Sequence, residues 1–250
     1  MRIKLIILIW ILLSLVGCNT IQTAPLAASK QPHNWSLAPD HFGHCQDQPI
    51  NSRRSPALTS KFMTSVSVID ELILPEDESP PNYEKANRLI KEALGNCTRC
   101  NGNERANLYL RLGFVEYYLE NIHNAIAANL EIIREKENIP IKMERDALKM
   151  IAKLNISIEE YRKAKNYFAL WEATCPTTDI SEDYFYRLAH ADYELKEYTE
   201  SMENLNTGIK ILLFDGRFIP RKFKSLKVAL ELELYGEIKS LDYAKEIGRK

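Results

Sequence analysis

Thiols carry the most specific chemistry in this 250-residue chain. Cys97 and Cys100 enclose two residues in the stretch GNCTRCNGN, between two helical segments, and Cys45 and Cys175 stand alone. Cys18 lies apart, near the start. Several chemistries suit these four cysteines. One is a structural disulfide Cys97–Cys100, with Cys45 and Cys175 as a second pair, which the even count favours in an oxidising compartment. A second is a zinc site built from Cys97, Cys100 and Cys45 with His41 or His44, although a structural zinc site commonly uses two such cysteine pairs and one is present. A third is a redox-active dithiol, but no βαβ pattern surrounds CTRC. Free thiols are the fourth. The five histidines, at 33, 41, 44, 123 and 190, have no metal spacing within the helical region. No HExxH, nucleophile elbow, P-loop or GxGxxG occurs. The expectation is a non-enzymatic protein without cofactor or metal.

Composition narrows the class. Lys+Arg 33 against Asp+Glu 34 leaves no basic surface for tracking phosphates, so no nucleic-acid partner is expected. Hydrophobic residues at 45% and charged residues at 27% are ordinary globular values. Gly is only 9 of 250, which argues against glycine-rich phosphate loops and against a turn-rich all-β fold. Leu, Ile, Ala, Glu and Lys favour helix.

The first residues, MRIKLIILIWILLSLVGC, have a basic start at Arg2 and Lys4 and then a short apolar run. The run falls short of the ~20 residues that span a bilayer and fits the apolar region of a secretory leader. The ending LVGC resembles a bacterial lipobox. That resemblance implies cleavage before Cys18 and a diacylglycerol on its thiol. The expected leader is 1–17, and the remaining chain carries a net charge of −3. Asn19 follows Cys18 where an Asp would signal inner-membrane retention, so the expectation is a periplasm-facing lipoprotein of the outer membrane. Residues 18–55 contain Pro25, Pro32, Pro39 and Pro49 among many Ser, Gln and Asn. That composition reads as a flexible tether, leaving 56–250 as the folded domain.

The elements that must position any site repeat along the chain. NYEKANRLIKEAL, NIHNAIAANLEII, EYRKAKNYFALW and EYTESMENLNTGI each place a small residue three after a bulky one. The small residues are Ala86, Ala125, Ala164 and Ser201, 39, 39 and 37 residues apart. Twelve residues before the last three stand Gly113, Ala152 and Ala189, each preceded by Leu or Ile and by Tyr109, Leu148 or Phe185. Small residues let two helices cross closely, and large neighbours fill the space between. A weaker fifth unit holds Leu241 and Ala244.

This pattern resembles the tetratricopeptide repeat (TPR), with Pro140 and Pro176 where helix pairs end. The resemblance implies an all-α fold, a right-handed solenoid of four to five stacked antiparallel helix pairs. The step of 37–39 exceeds the usual ~34, so the excess must enter loops or an extra turn. The resemblance also implies that first helices line a concave, partner-binding groove. Phe114, Tyr117, Tyr186, His190 and Tyr193, with Lys149 and Lys153 from the middle repeat, are the candidate groove residues. The same residues could instead pack between repeats.

Residues 83–237 further resemble periplasmic TPR proteins that accompany TonB–ExbB–ExbD energy-transduction systems. The CTRC loop and the lipobox depart from that group. It implies an envelope-protein partner, either a TonB-system component or an outer-membrane protein. A pilotin-like or outer-membrane-assembly lipoprotein is the alternative.

Overall fold

Small residues recurring every 37–39 positions require helices that cross at close range, and the chain forms them. The structure, a computed structural model, describes residues 39–42, 45, 53–76, 79–176 and 180–236. These all fall in one unit, Asn34–Lys250. The leader, Cys18 and the fifth unit's Leu241 and Ala244 lie outside the described residues.

A short helical turn, Pro39–Phe42, precedes nine longer helices among the described residues. They are α1 (Ser60–Ile73), α2 (Tyr83–Gly95), α3 (Gly102–Tyr118), α4 (Ile122–Arg134), α5 (Ile141–Ser157), α6 (Tyr161–Glu172), α7 (Glu182–Glu194), α8 (Tyr198–Phe214) and α9 (Arg221–Tyr235). No described residue is in a strand. No described helix is long and apolar enough to cross a membrane. Each helix packs on the next, giving four pairs and a closing helix. Among the first helices, α1 also touches α3, and α7 touches both α5 and α9.

The crossings use the small residues. Ala86, Ala125, Ala164, Ser201, Ala152 and Ala189 are fully buried. A Cβ on Gly113 would come 2.8 Å from Asn129 Nδ2 on the paired helix, so a larger residue there must displace that amide, which donates to the Ala125 carbonyl at 2.8 Å. Ser201 Oγ donates to the Ala189 carbonyl oxygen at 2.6 Å, which welds α8 to α7 at their crossing.

Three pairs share one turn. Glu120, Glu159 and Lys196 adopt left-handed backbone at φ 61, 62 and 62°. The next amide in each case donates five residues back, Asn121 to Glu116, Glu160 to Asn155 and Glu197 to Asp192, at 2.8–2.9 Å. This is the Schellman ending, which ties off the first helix and sends the chain straight into the second. The long repeat step goes partly into 17-residue helices α3, α5 and α8. The rest goes into connections such as the 3-10 turn Lys136–Asn138.

Packing begins earlier than residue 56. Within the segment read as a tether, Phe42 and Cys45 are buried among Phe168, Trp171, Tyr184 and Phe185. His41 Nδ1 lies 3.1 Å from Glu172 Oε1. Cys45 is disulfide-bonded to Cys175, with Cα atoms 5.4 Å apart. Farther along, Arg53 reaches Glu144 at 2.8 Å. The Pro56 and Ala57 carbonyls accept from Asn103 and Asn101. Thr59 donates from its amide and hydroxyl to Glu104. The contacts thus run from α6–α7 back to α3, along the ends where first helices start. A linker-like composition did not reveal this strap because its contacts are isolated residues with no apolar period.

The second disulfide joins Cys97 and Cys100. Cys45 and Cys175 therefore do not converge with the CTRC loop. His44 lies outside the described residues, and no group of three metal-capable side chains occurs among those described.

The two bridges differ in leverage. The Cys45–Cys175 link spans 130 residues and the other spans three. On the chain-entropy account their contributions are about 5 and about 2 kcal/mol. Cys45→Ser with Cys175→Ser should therefore lower stability by ~2–5 kcal/mol in denaturant melts, and Cys97→Ser with Cys100→Ser by clearly less. Equal losses would mean that the strap adds nothing to the stack.

Candidate groove on the first helices

The functional question is what the row of first helices presents. Around Asp183, at the start of α7, three cations from three helices meet. Arg187 Nε, one turn on, donates to Asp183 Oδ2 at 2.8 Å. Lys222 Nζ of α9 donates to Oδ1 at 3.1 Å. Lys153 Nζ of α5 lies 3.7 Å from Oδ2. One carboxylate thus faces three positive charges. Burial alone pushes the Asp183 carboxyl up, but Arg187, then Lys222 and Lys153, outweigh it and hold its pKa at about 2. Lys153 is pulled the other way. Burial first, then repulsion from Arg187 and Lys222, lowers its pKa despite Asp183. The cluster is short of negative charge.

Aromatic rings border it. Lys222 sits 4.4 Å from the centroid of the Tyr186 ring, a cation–π contact. Tyr186 packs on Phe223 at 5.0 Å, and His190 stacks near Tyr186 while meeting Tyr161 edge-on at 5.8 Å. His190 Nε2 is 3.5 Å from Glu194.

The other expected groove residues lie elsewhere. Tyr117 is 47% exposed, edge-on to Tyr118. Tyr118 stacks on Tyr83 at 4.9 Å, and Phe114 packs against both. These four rings form a separate ledge where α2 meets α3. Lys149 is 5.1 Å from the Trp171 ring of α6, on the strap side of the stack. Tyr193 packs on Tyr198 of its own pair. The structure therefore brings Lys153, Tyr186 and His190 together, and it keeps Phe114 with Tyr117 as a second patch.

Asp183, Arg187 and Lys222 escaped the sequence reading. Asp183 and Arg187 have the i, i+4 spacing of a helix-face pair, which is usually solvated. Lys222 lies in a helix that repeats only weakly.

A second set of polar residues holds the stack together. Glu116, Asn155 and Asp192 are buried, each three residues past a small crossing residue. Lys91 of α2 reaches Glu116 Oε1 at 2.8 Å, and Asn121 donates to Oε2 at 2.9 Å. Lys165 of α6 reaches Asp192 Oδ1 at 2.6 Å, and Asn204 donates to Oδ2 at 2.7 Å. Burial raises the Asp192 carboxyl, while Lys165 and Asn204 act against that rise. A lysine on one pair thus locks to a buried acid on the next. A cleft of about 290 Å³ beside Lys91 and Glu116 is also lined by Tyr109, Leu112 and Asn124. It offers no nucleophile beside a base.

No family profile matches this chain, and no curated protein matches it. Solved structures do share its fold. MamA residues 41-end from Desulfovibrio magneticus RS-1 superposes with a TM-score of 0.58 at 12% identity, covering 76% of this chain and 95% of that one. A MamA RS-1 double mutant gives the same TM-score and identity, over 76% and 94%. TPR-like repeats of a Podospora anserina kinesin light chain give 0.55 at 8% identity, over 75% and 93%. The architecture is a TPR-like all-helical solenoid.

The Asp183 cluster sets a pH dependence. Its folded pKa of about 2 lies below the ordinary aspartate value of 3.8. The stabilisation is complete above the unfolded value and is lost as pH falls from about 4 toward 2. With screening at this half-exposed site it is on the order of 1 kcal/mol. Asp183→Asn should flatten that part of the stability–pH curve. An unchanged acid limb would show that the cluster is not formed.

Proposed function

We propose that this protein is a non-enzymatic envelope scaffold that binds an acidic segment of a protein partner along its first helices. The observation that carries this reading is the charge imbalance at Asp183, where Lys153, Arg187 and Lys222 share one carboxylate. A carboxylate from a partner would offset the repulsion from Arg187 and Lys222 that adds to burial in lowering the Lys153 pKa. Tyr186 and His190 supply flat apolar faces beside it, and Tyr117 offers a second anchor on α3. Exposed aromatic and cationic side chains are the types that dominate protein interfaces.

Cys18 carries the lipid in this reading, and the body faces the periplasm from the outer membrane. The partner is an envelope protein, with a TonB-system component or an outer-membrane protein as the leading class. LVGC behind the short apolar leader supports the anchor, and the resemblance over residues 83–237 supports the partner class.

The binding test uses the lipidated protein as bait in detergent-solubilised envelope. Tyr117→Ala with Lys153→Ala should reduce recovery of a discrete partner, as should raised salt, because rim charges are screened. The melting curve should stay near that of the parent, since Tyr117 is exposed and the Lys153–Asp183 contact is long. Unchanged recovery would remove the groove from the account. Separately, labelled fatty acid fed to the cells should be incorporated into the protein and lost in Cys18→Ser, and label retained by the variant would refute the anchor.

A further inference from the structure

The α8–α9 connection exposes apolar side chains that the groove does not use. Phe218 is 97% exposed, Phe214 71% and Leu213 59%. The loop that carries them is well fixed. Gly216, at φ 65°, lets the Arg217 amide donate to the Leu212 carbonyl at 2.8 Å. The Arg217 guanidinium then forks onto both oxygens of Glu182 on α7, at 2.9 Å each, and reaches Asp215 at 2.8 Å. Two phenylalanines and a leucine are thus held out from an anchored turn.

Charge and position indicate what would cover them. Residues 208–226 hold Lys210, Arg217, Arg221, Lys222 and Lys224 and one acid, Asp215, with Arg217 also paired to Glu182 and Lys222 to Asp183. The turn also sits beside the point where the N-terminal chain enters the fold. Glu182, which holds Arg217, starts the helix whose Phe185 meets His41 at 5.3 Å between ring centroids. On the other side, Phe185 lies close to Gly208 of α8, where an added Cβ would be 3.2 Å away. Connections from a second helix to the next first helix share one edge of such a stack. The Cys45–Cys175 strap and the Phe214–Phe218 turn are therefore on that edge together.

We propose that this turn docks on an anionic lipid surface, with Leu213, Phe214 and Phe218 entering the interface and the surrounding cations meeting headgroups. Apolar and aromatic groups flanked by Lys and Arg are the composition that binds such surfaces. The inference builds on the lipid anchor proposed for Cys18. Only 20 residues lie between Cys18 and Pro39, a length that reaches at most ~70 Å even fully extended. An anchored body would keep this edge near the bilayer, with the turn as a second contact that fixes orientation.

The test places a tryptophan at the tip. Purified lipidated Phe218→Trp protein is mixed with vesicles of phosphatidylethanolamine and phosphatidylglycerol. The added emission should shift to the blue and be quenched by lipids brominated near the headgroup boundary. The same measurement on Phe218→Trp with Cys18→Ser separates the two claims. Quenching in both forms supports the turn, whatever becomes of the anchor. Flotation of the lipidated form without quenching leaves the anchor standing and overturns the turn. Absence of both flotation and quenching overturns both. A blue shift that grows with protein concentration in the absence of lipid would assign the patch to a second copy of the chain and overturn the proposal. Phe214→Asp with Phe218→Asp should abolish vesicle binding of the Cys18→Ser form while leaving its helical spectrum intact.

Discussion

Close approach of helix backbones at the small-residue crossings is the constraint on which the rest of the structure depends. Ala86, Ala125, Ala164 and Ser201 are buried where second helices meet first helices, and Gly113, Ala152 and Ala189 stand at the matching positions. A side chain larger than Ala at such a point must displace the facing helix or the side chains it carries there. Displacing one helix would break the register in which Lys91 reaches Glu116 and Lys165 reaches Asp192. Those buried acids are tolerable only because a neighbouring repeat supplies the lysine and an asparagine supplies a further donor. Crossing geometry, buried polar locks and the row of first helices are therefore parts of one arrangement.

The strap adds a non-local constraint to a fold otherwise built from neighbours. In a plain solenoid each repeat touches the next, and stability is nearly a sum of repeat and interface terms. Here Phe42, Arg53 and Thr59 meet the starts of α7, α5 and α3, and Cys45 is covalently tied to the α6–α7 connection. Opening α3, α5 or α7 locally then costs strap contacts as well. The same strap brings the N-terminal chain in along the edge where first helices start, and Asp183 stands in the first turn of α7 on that edge.

Much of this was legible in the sequence, for a definable reason. The Tyr-x-x-Ala and Ile-x-x-Ala units mark where second helices start, because backbone approach tolerates few residue types there. Tyr83, Ile122, Tyr161 and Tyr198 are the first residues of α2, α4, α6 and α8. The buried acids were less visible, because Glu116, Asn155 and Asp192 differ in type and each reads alone as a solvated helix residue. The strap was hidden because Phe42, Cys45 and Arg53 make single contacts without a period. Disulfide connectivity depends on the strap's path, so spacing could state the Cys45–Cys175 pairing without choosing it. At the candidate groove, helix spacing placed Tyr186 and His190 on one face. It could not show that Lys222 of α9 and Lys153 of α5 meet at Asp183, since that requires the angle between successive pairs.

The central claim is that partners meet the first helices around Asp183. Hydrogen exchange of the purified protein, alone and in complex with its captured partner, measures this directly. The account predicts added protection in the exposed-side amides of α5, α7 and the start of α9, with α4, α6 and α8 unchanged. Protection concentrated on those second helices, with none around Asp183, would contradict it.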